Sequence, residues 1–221
     1  MTTPDVQTLI VGAGFSGIGA GILLDRAGLG DYLIIEAGSG PGGTWFWNTY
    51  PGVAVDIPSF SYQFSFEQSA DWSRTYAKGH ELKAYAEHCV DKYGLRDRIR
   101  FGTEVTGTEY DDEADLWRVH TSAGTITARF LINGSGVLTV PKPPDIEGVT
   151  EFAGTTLHTA RWDSSVDLTG KRVAIIGTGA SAVQVIPEIA PIVEQLTVFQ
   201  RTPIWCFPKL DLPLPAAARW A

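Results

Sequence analysis

Cysteine is nearly absent: the 221 residues contain two, Cys89 and Cys206, 117 positions apart and neither in a CxxC pair. That excludes a disulfide-stapled scaffold and a cysteine-based metal module, and it fits reduced thiols in the cytoplasm. The histidines His80, His88, His120 and His158 show no ligand spacing, so no metal is expected. Positive charge is scarce as well, with 17 Lys and Arg against 25 Asp and Glu, a formal net charge of −8. A basic face for a phosphodiester backbone is missing, and nucleic acid is excluded as a partner. Long apolar runs are missing too. Nothing approaches the ~20 residues that span a bilayer, and "MTTPDVQTLIVGAG" has no basic region of a signal peptide. The expectation is a cytoplasmic protein with no membrane partner and unknown oligomeric state. What abounds is glycine, at 24, and aromatic residues, at seven Trp, seven Tyr and ten Phe, in a chain that is 44% apolar. This composition suits a packed core that wraps a flat organic ligand.

Along the chain, "VQTLIV" (residues 6–11) is a short β-branched run ending at a glycine turn, as in a buried parallel strand. "GFSGIGAGILLDRAG" has helical spacing at Ile18, Ile22 and Leu23 and closes at Gly28, and "YLIIE" (32–36) follows as a strand. Residues 6–36 therefore predict a βαβ unit. A Gly-, Trp- and Pro-rich loop occupies 38 to about 60, and residues 80–93 place Leu82, Ala86, Cys89, Val90 and Tyr93 on one helix face. From 99 to 132 the period falls toward two, with turn signals at "DDEAD" and "SAG", which predicts a β-meander feeding "RFLING". "VPKPPDIEG" is a proline-rich linker. "KRVAIIG" then predicts a second buried strand, 180–195 a helix that Pro187 and Pro191 bend or shorten, and "LTVFQ" another strand.

The βαβ unit thus occurs twice, each copy with a glycine loop between strand and helix. "GAGFSG" supplies Gly12, Gly14 and Gly17, and "GTGASA" supplies Gly177, Gly179 and Ala182. The first glycine permits the tight turn and the second a close approach of a pyrophosphate. The third position lets the helix pack on the strand, and the diphosphate sits on the helix N-terminus. Glu36 lies 24 residues after Gly12 and Arg201 lies 24 after Gly177, so an acid and a base hold equivalent strand tips. A carboxylate accepts from the diol of an unphosphorylated ribose, whereas a guanidinium grips a 2′-phosphate. The first site suits FAD or NAD; the second suits NADP, with Thr202 adding a hydroxyl. A flavin reduced by NADPH is the natural pair. Because Cys89 and Cys206 are isolated, no redox disulfide can take the electrons, and O2 is the leading acceptor.

Two longer segments carry a resemblance. "FAGTTLHTARWD" (152–163) resembles the F-x-G-x-x-x-H-x-x-x-W-P/D fingerprint of Baeyer–Villiger monooxygenases at Phe152, Gly154, His158, Trp162 and Asp163. "GGTWFWNTYPGVAVD" (42–56) is similar to that family's G-G-x-W-x-x-x-x-Y-P-G-x-x-x-D signature, and "LINGSGVLTVPKPPDIEG" to its strand-to-linker segment, with Asn133 and Ser135 as departures before Gly136. The resemblance implies that NADPH reduces FAD, O2 forms a flavin peroxide, and one oxygen atom is inserted into a small ketone to give an ester or lactone. Gly43, Thr44, Trp45 and Gly136 would join the FAD site, and Ser181 the NADP site. Asp56 would lie beside the flavin as the catalytic carboxylate that orients an arginine, and His158 would belong to an interdomain hinge. Flavin monooxygenases that oxidise nitrogen or sulfur are an alternative, placed second because they usually lack the Trp and Asp of the fingerprint; a non-catalytic FAD- and NADP-binding remnant is the other.

The expected fold is α/β: two Rossmann-like units, FAD then NADP, with a β-meander insertion and the second unit incomplete. The partition is an FAD domain with meander over 1–140, a linker carrying the fingerprint over 141–170, and the start of a truncated NADP domain over 171–221. Family members are more than twice as long, so the chain resembles their N-terminal part. The arginine is not among its residues, and ketone oxygenation by the 221 residues alone is not expected.

Overall fold

The computed structural model describes residues 3–215; positions 216–221, the end of the expected third segment, lie outside them. Strand β1 (Val6–Val11) leads into helix α1 (Phe15–Arg26), which returns to β2 (Tyr32–Ile35). A single turn, α2 (Thr44–Trp47), precedes helix α3 (Gly79–Lys92). Strands β3 (Ile99–Arg100), β4 (Val105–Asp111), β5 (Leu116–Thr121) and β6 (Gly124–Asn133) follow. The second repeat is β7 (Arg172–Ile176), α4 (Ala180–Ile189) and β8 (Gln195–Phe199).

The first sheet has the order β3-β2-β1-β6-β5-β4. β1 pairs in parallel with β2 and with β6, while β4, β5 and β6 form an antiparallel meander. β6 therefore does two jobs, as the last meander strand and as the parallel neighbour that flanks the first glycine loop. The two-residue β3 pairs in parallel with β2 and is no part of the meander. Leu9, Ile35, Val119, Ile126 and Ala128 form a buried core cluster against this sheet. Ile18 and Ile22 of α1, one turn apart, are buried at 0% and 1% exposure, whereas Leu23 is 53% exposed because it lies outside that i, i+4 stripe. On α3, Leu82, Ala86, Cys89 and Val90 are all fully buried, as the helical spacing requires.

β7 and β8 form a two-stranded parallel sheet. The sequence expectation of buried strands does not hold there: exposure alternates along β7, four of the five residues of β8 are exposed, and Ile176 and Phe199 are 58% and 56% exposed. Val173 and Ile175 pack with Val185 and Ile189 of α4 on one face, while the other face has no such cover among the described residues. α4 ends at Ile189, six residues short of 195, with Pro187 inside its last turn and Pro191 just beyond. Proline withholds an N–H from the helix ladder, so the two together end it.

By compactness, residues up to Trp47 with Leu82–Thr139 form one unit, and Asn48–Glu81 with residues from Val140 on form another. The structure thus divides the chain differently from a cut at 140. The loop after α2 leaves the first unit because its Tyr50 and Val53 pack against Val185 and Ile189 of α4.

Candidate dinucleotide sites and the signature loop

In the first unit the glycine requirement is steric at two positions of three. Gly12 has φ +94, and a Cβ there would lie 2.6 Å from the carbonyl oxygen of Gly134, which follows β6. A Cβ on Gly17 would lie 1.8 Å from the oxygen of Gly12, so no side chain fits between α1 and the loop. Gly14 is different. It is the N-cap of α1 in extended conformation (φ −77, ψ −173), and its Cβ would meet only the Gly43 backbone, the Cα at 3.5 Å and the nitrogen at 3.9 Å. No acidic residue occupies the first turn of α1 and no side chain caps it. Across from Gly14, Gly43 has φ +55, and the Gly42 N–H donates to the Ala13 oxygen at 2.9 Å. This pairing places Gly43 and Thr44 at the mouth of the loop. Trp45, in contrast, is 8% exposed and packs inward.

Glu36 is 5% exposed. Its Oε2 accepts the Ala13 N–H at 2.8 Å and its Oε1 the Gly38 N–H at 2.7 Å. The carboxylate is therefore seated by backbone rather than free at the strand tip. Since each oxygen has two acceptor sites, each retains one for a hydroxyl donor. Gly136 has φ +68 and is exposed. Gly134, which the motif analysis passed over, is the residue in contact with the loop; the signal was a glycine ending a strand that pairs with β1.

In the second unit, Gly177 has φ +104 and its N–H donates to the Phe199 oxygen at 2.9 Å. Gly179 is the N-cap of α4, and neither Gly177 nor Gly179 would bring a Cβ within 4 Å of another atom. The third position carries a methyl here, and Ala182 is buried at 8% exposure. The Gln200 Nε2 donates to Thr178 Oγ1 at 3.1 Å, which ties the tip of β8 to the glycine loop. Arg201 and Thr202 follow immediately and are exposed; Arg201 has no ion-pair partner among the described residues.

The signature loop is organised by a residue that sequence reasoning missed, Gln184 on the first turns of α4. Tyr50 Oη donates to Gln184 Oε1 at 2.9 Å, and Gln184 Nε2 donates to the Ala54 oxygen and to Asp56 Oδ1, both at 3.0 Å. Gly52 (φ +82) lets the loop lie on the helix, since a Cβ there would be 2.5 Å from the Gln184 oxygen. Burial, reinforced by the nearby Asp56 charge and opposed by a hydrogen bond with Ser181, pushes the Tyr50 phenol up, so it stays a neutral donor. No local pattern marks Gln184; only its spacing after Gly179, on the face that meets the loop, could have.

The fingerprint residues do not converge on one point. Trp162 packs into the core cluster of Tyr50, Val185 and Ile189. His158 makes a local turn: its Nδ1 accepts the Ala160 N–H at 3.1 Å and its carbonyl the Arg161 N–H at 2.8 Å. Asp163 Oδ1 accepts from the Ser165 hydroxyl at 2.6 Å and N–H at 2.9 Å, which holds its carboxyl below the usual carboxylate range. Phe152 is 66% exposed, with its ring against Gly154. No group of three or more potential metal ligands occurs among the described residues. No helix among them is long and apolar enough to cross a membrane.

The model of the pyridine nucleotide-disulphide oxidoreductase family matches residues 9–212. A Baeyer–Villiger monooxygenase of Streptomyces coelicolor is 45% identical over 214 residues, which are 97% of this chain and 41% of that protein. A crystal structure of OTEMO in complex with FAD and NADP superposes with a TM-score of 0.92 at 38% identity, covering 99% of this chain and 43% of that one. A closed crystal structure of cyclohexanone monooxygenase gives 0.91 at 40% identity, covering 99% and 42%. The chain spans about two fifths of the length of these relatives. Cys89 is buried and Cys206 exposed, and they are not joined to each other, so the disulphide in the family's description has no counterpart pair here. The chain belongs to the pyridine nucleotide-disulphide oxidoreductase family and is related within it to the Baeyer–Villiger monooxygenases.

Proposed function

We propose that this chain serves an FAD- and NADPH-dependent monooxygenase that inserts one oxygen atom of O2 into a small ketone. One observation carries it: two glycine cradles of the same design end in opposite charges, Glu36 and Arg201, at the same spacing. The residues fit the two cofactors. Gly12 and Gly17 make a close-packed loop whose bare face is Gly14, and Glu36 keeps acceptor capacity for a ribose diol. Gly43, Thr44 and Gly136 complete the FAD site, with Trp45 packed behind it. Gly177, Gly179, Ser181 and Ala182 would receive the NADP diphosphate on α4. Arg201, exposed and without an ion-pair partner among the described residues, would grip the 2′-phosphate with Thr202 beside it.

Bound FAD, reduced by NADPH, supplies the activation of O2. The protein's part is to bind, orient and exclude water. Asp56, held through its Oδ1 by Gln184, is the proposed catalytic carboxylate. His158 and Asp163 shape the linker turn as hinge residues, and Trp162 roots it in the α4 core. The reaction balances as ketone + O2 + NADPH + H⁺ giving ester or lactone + H2O + NADP⁺. A related cyclohexanone monooxygenase has been crystallised with ε-caprolactone, a lactone of this kind. Two cysteines not joined in a disulfide favour a cytoplasmic setting. Because the 221 residues alone are not expected to oxygenate ketones, the test is incubation of an FAD-loaded version at the full length of the relatives with NADPH, ¹⁸O2 and, in parallel, cyclic ketones, an amine and a sulfide. Lactone carrying one ¹⁸O is the expected product; N- or S-oxide with no lactone would refute the ketone assignment.

A further inference from the structure

Past β8 the chain returns along the loop that precedes α3. Residues 211–214 lie antiparallel to 73–76: the Thr75 N–H donates to the Leu212 oxygen and the Leu214 N–H to the Ser73 oxygen, both at 2.9 Å. Arg74 fastens this strap, with Nε on Asp211 Oδ2 at 2.9 Å and Nη2 on the Asp211 carbonyl at 3.0 Å. Two residues before Asp211 the strap carries Lys209, whose ammonium stands 4.4 Å from the centre of the Tyr76 ring. From there its Nζ donates to the Val55 oxygen at 2.8 Å. Val55 is the residue before Asp56. Partial burial pushes the Lys209 ammonium down and the neighbouring Lys78 adds to that, while Asp56 and Asp211 push it up, so both carboxylates lie within its electrostatic reach.

Asp56 is thus restrained twice. Gln184 binds its carboxylate from α4, and Lys209 binds the preceding carbonyl from the strap. We propose that Lys209 is a positioning residue for Asp56, fixing the Val55–Asp56 peptide through the Val55 carbonyl. This rests on the assignment of Asp56 as the catalytic carboxylate. The role needs a charged donor at the end of a long stem, so arginine can replace lysine and methionine, which has the stem alone, cannot.

The test is ¹⁵N relaxation of the FAD-loaded protein, read at the Asp56 amide, with the Thr75 and Leu214 amides reporting the strap. In the parent and in Lys209→Arg the Asp56 order parameter is expected near ~0.85; in Lys209→Met it should fall below ~0.6 while Thr75 and Leu214 keep their values. Lys209→Gln replaces Lys209→Met if the latter does not fold. An Asp56 amide equally ordered in Lys209→Met would overturn the proposal, as would a strap that loosens with it or a Lys209→Arg protein as mobile as Lys209→Met. In turnover of a version at the full length of the relatives, Lys209→Met should lower kcat about tenfold or more with the KM for NADPH unchanged, and Lys209→Arg should restore it. An Asp56→Asn protein with parental kcat would instead remove the catalytic assignment of Asp56 and leave the relaxation result intact.

Discussion

Gly14 and Gly17 are three residues apart in one motif, and their alanine variants should fail in opposite ways. A Cβ on Gly17 would stand 1.8 Å from the Gly12 oxygen, so α1 or the loop must move. Overpacking of this kind costs about 1–3 kcal/mol, which in a chain of this size lowers Tm by roughly 2–12 °C. At Gly14 the backbone (φ −77) is open to any residue and the new methyl meets only the Gly43 backbone, no nearer than 3.5 Å. Gly14→Ala should therefore leave Tm unchanged or raise it slightly, since it also narrows the unfolded ensemble by about 0.4–1 kcal/mol. Its cost falls on the ligand. The methyl occupies the surface a diphosphate must touch, and losing one charge-assisted hydrogen bond there is worth about 1.5–3 kcal/mol, or roughly 10- to 150-fold in Kd. Quenching of flavin fluorescence gives Kd for FAD, and thermal unfolding without flavin gives Tm. A Gly14→Ala protein that binds FAD with the parental Kd would refute the cradle assignment. A Gly17→Ala protein with unchanged Tm would refute the packing argument.

At the second cradle, Arg201→Ala should weaken NADPH by at least tenfold relative to NADH, because only the phosphate loses a charge-assisted contact; equal losses in steady-state kinetics would make Arg201 structural. Gln184→Ala removes the hydrogen bonds to Tyr50, Ala54 and Asp56. Stranding polar groups on that loop should cost about 1–3 kcal/mol in a denaturant titration, and a midpoint within error of the parent would contradict the bridge. Asp163 has its carboxyl held below the ordinary value of 3.8 by Ser165, so the interaction stabilises the fold above about pH 4 and is lost as pH falls further. Asp163→Ala should accordingly lower Tm at about pH 6 and converge with the parent near pH 2–3; a difference that persists in acid would show that the Ser165 contact is not the cause.

The repeat of strand, glycine loop and helix was legible from local chemistry alone. β-branched runs end at Gly12 and Gly177, Ile18 and Ile22 mark a buried helix face, and Glu36 and Arg201 stand at one spacing, because each of these acts within a few turns of chain. Tertiary structure decided the rest. The Gly12 constraint comes from Gly134, more than a hundred residues away, where β6 pairs beside β1. The "GGTWFWNTYPGVAVD" signature reads as one segment, yet Gly43 belongs with the first glycine loop while Tyr50 and Asp56 belong with Gln184 on α4. Burial of β7 and β8 was overestimated for the same reason: an apolar run shows that a strand can be buried, and only the neighbouring layers determine whether it is. Hydrogen bonds between residues 130 or more positions apart, Gln184 to Ala54 and Lys209 to Val55 among them, leave no periodic trace in either segment, so only the folded chain could reveal what holds Asp56.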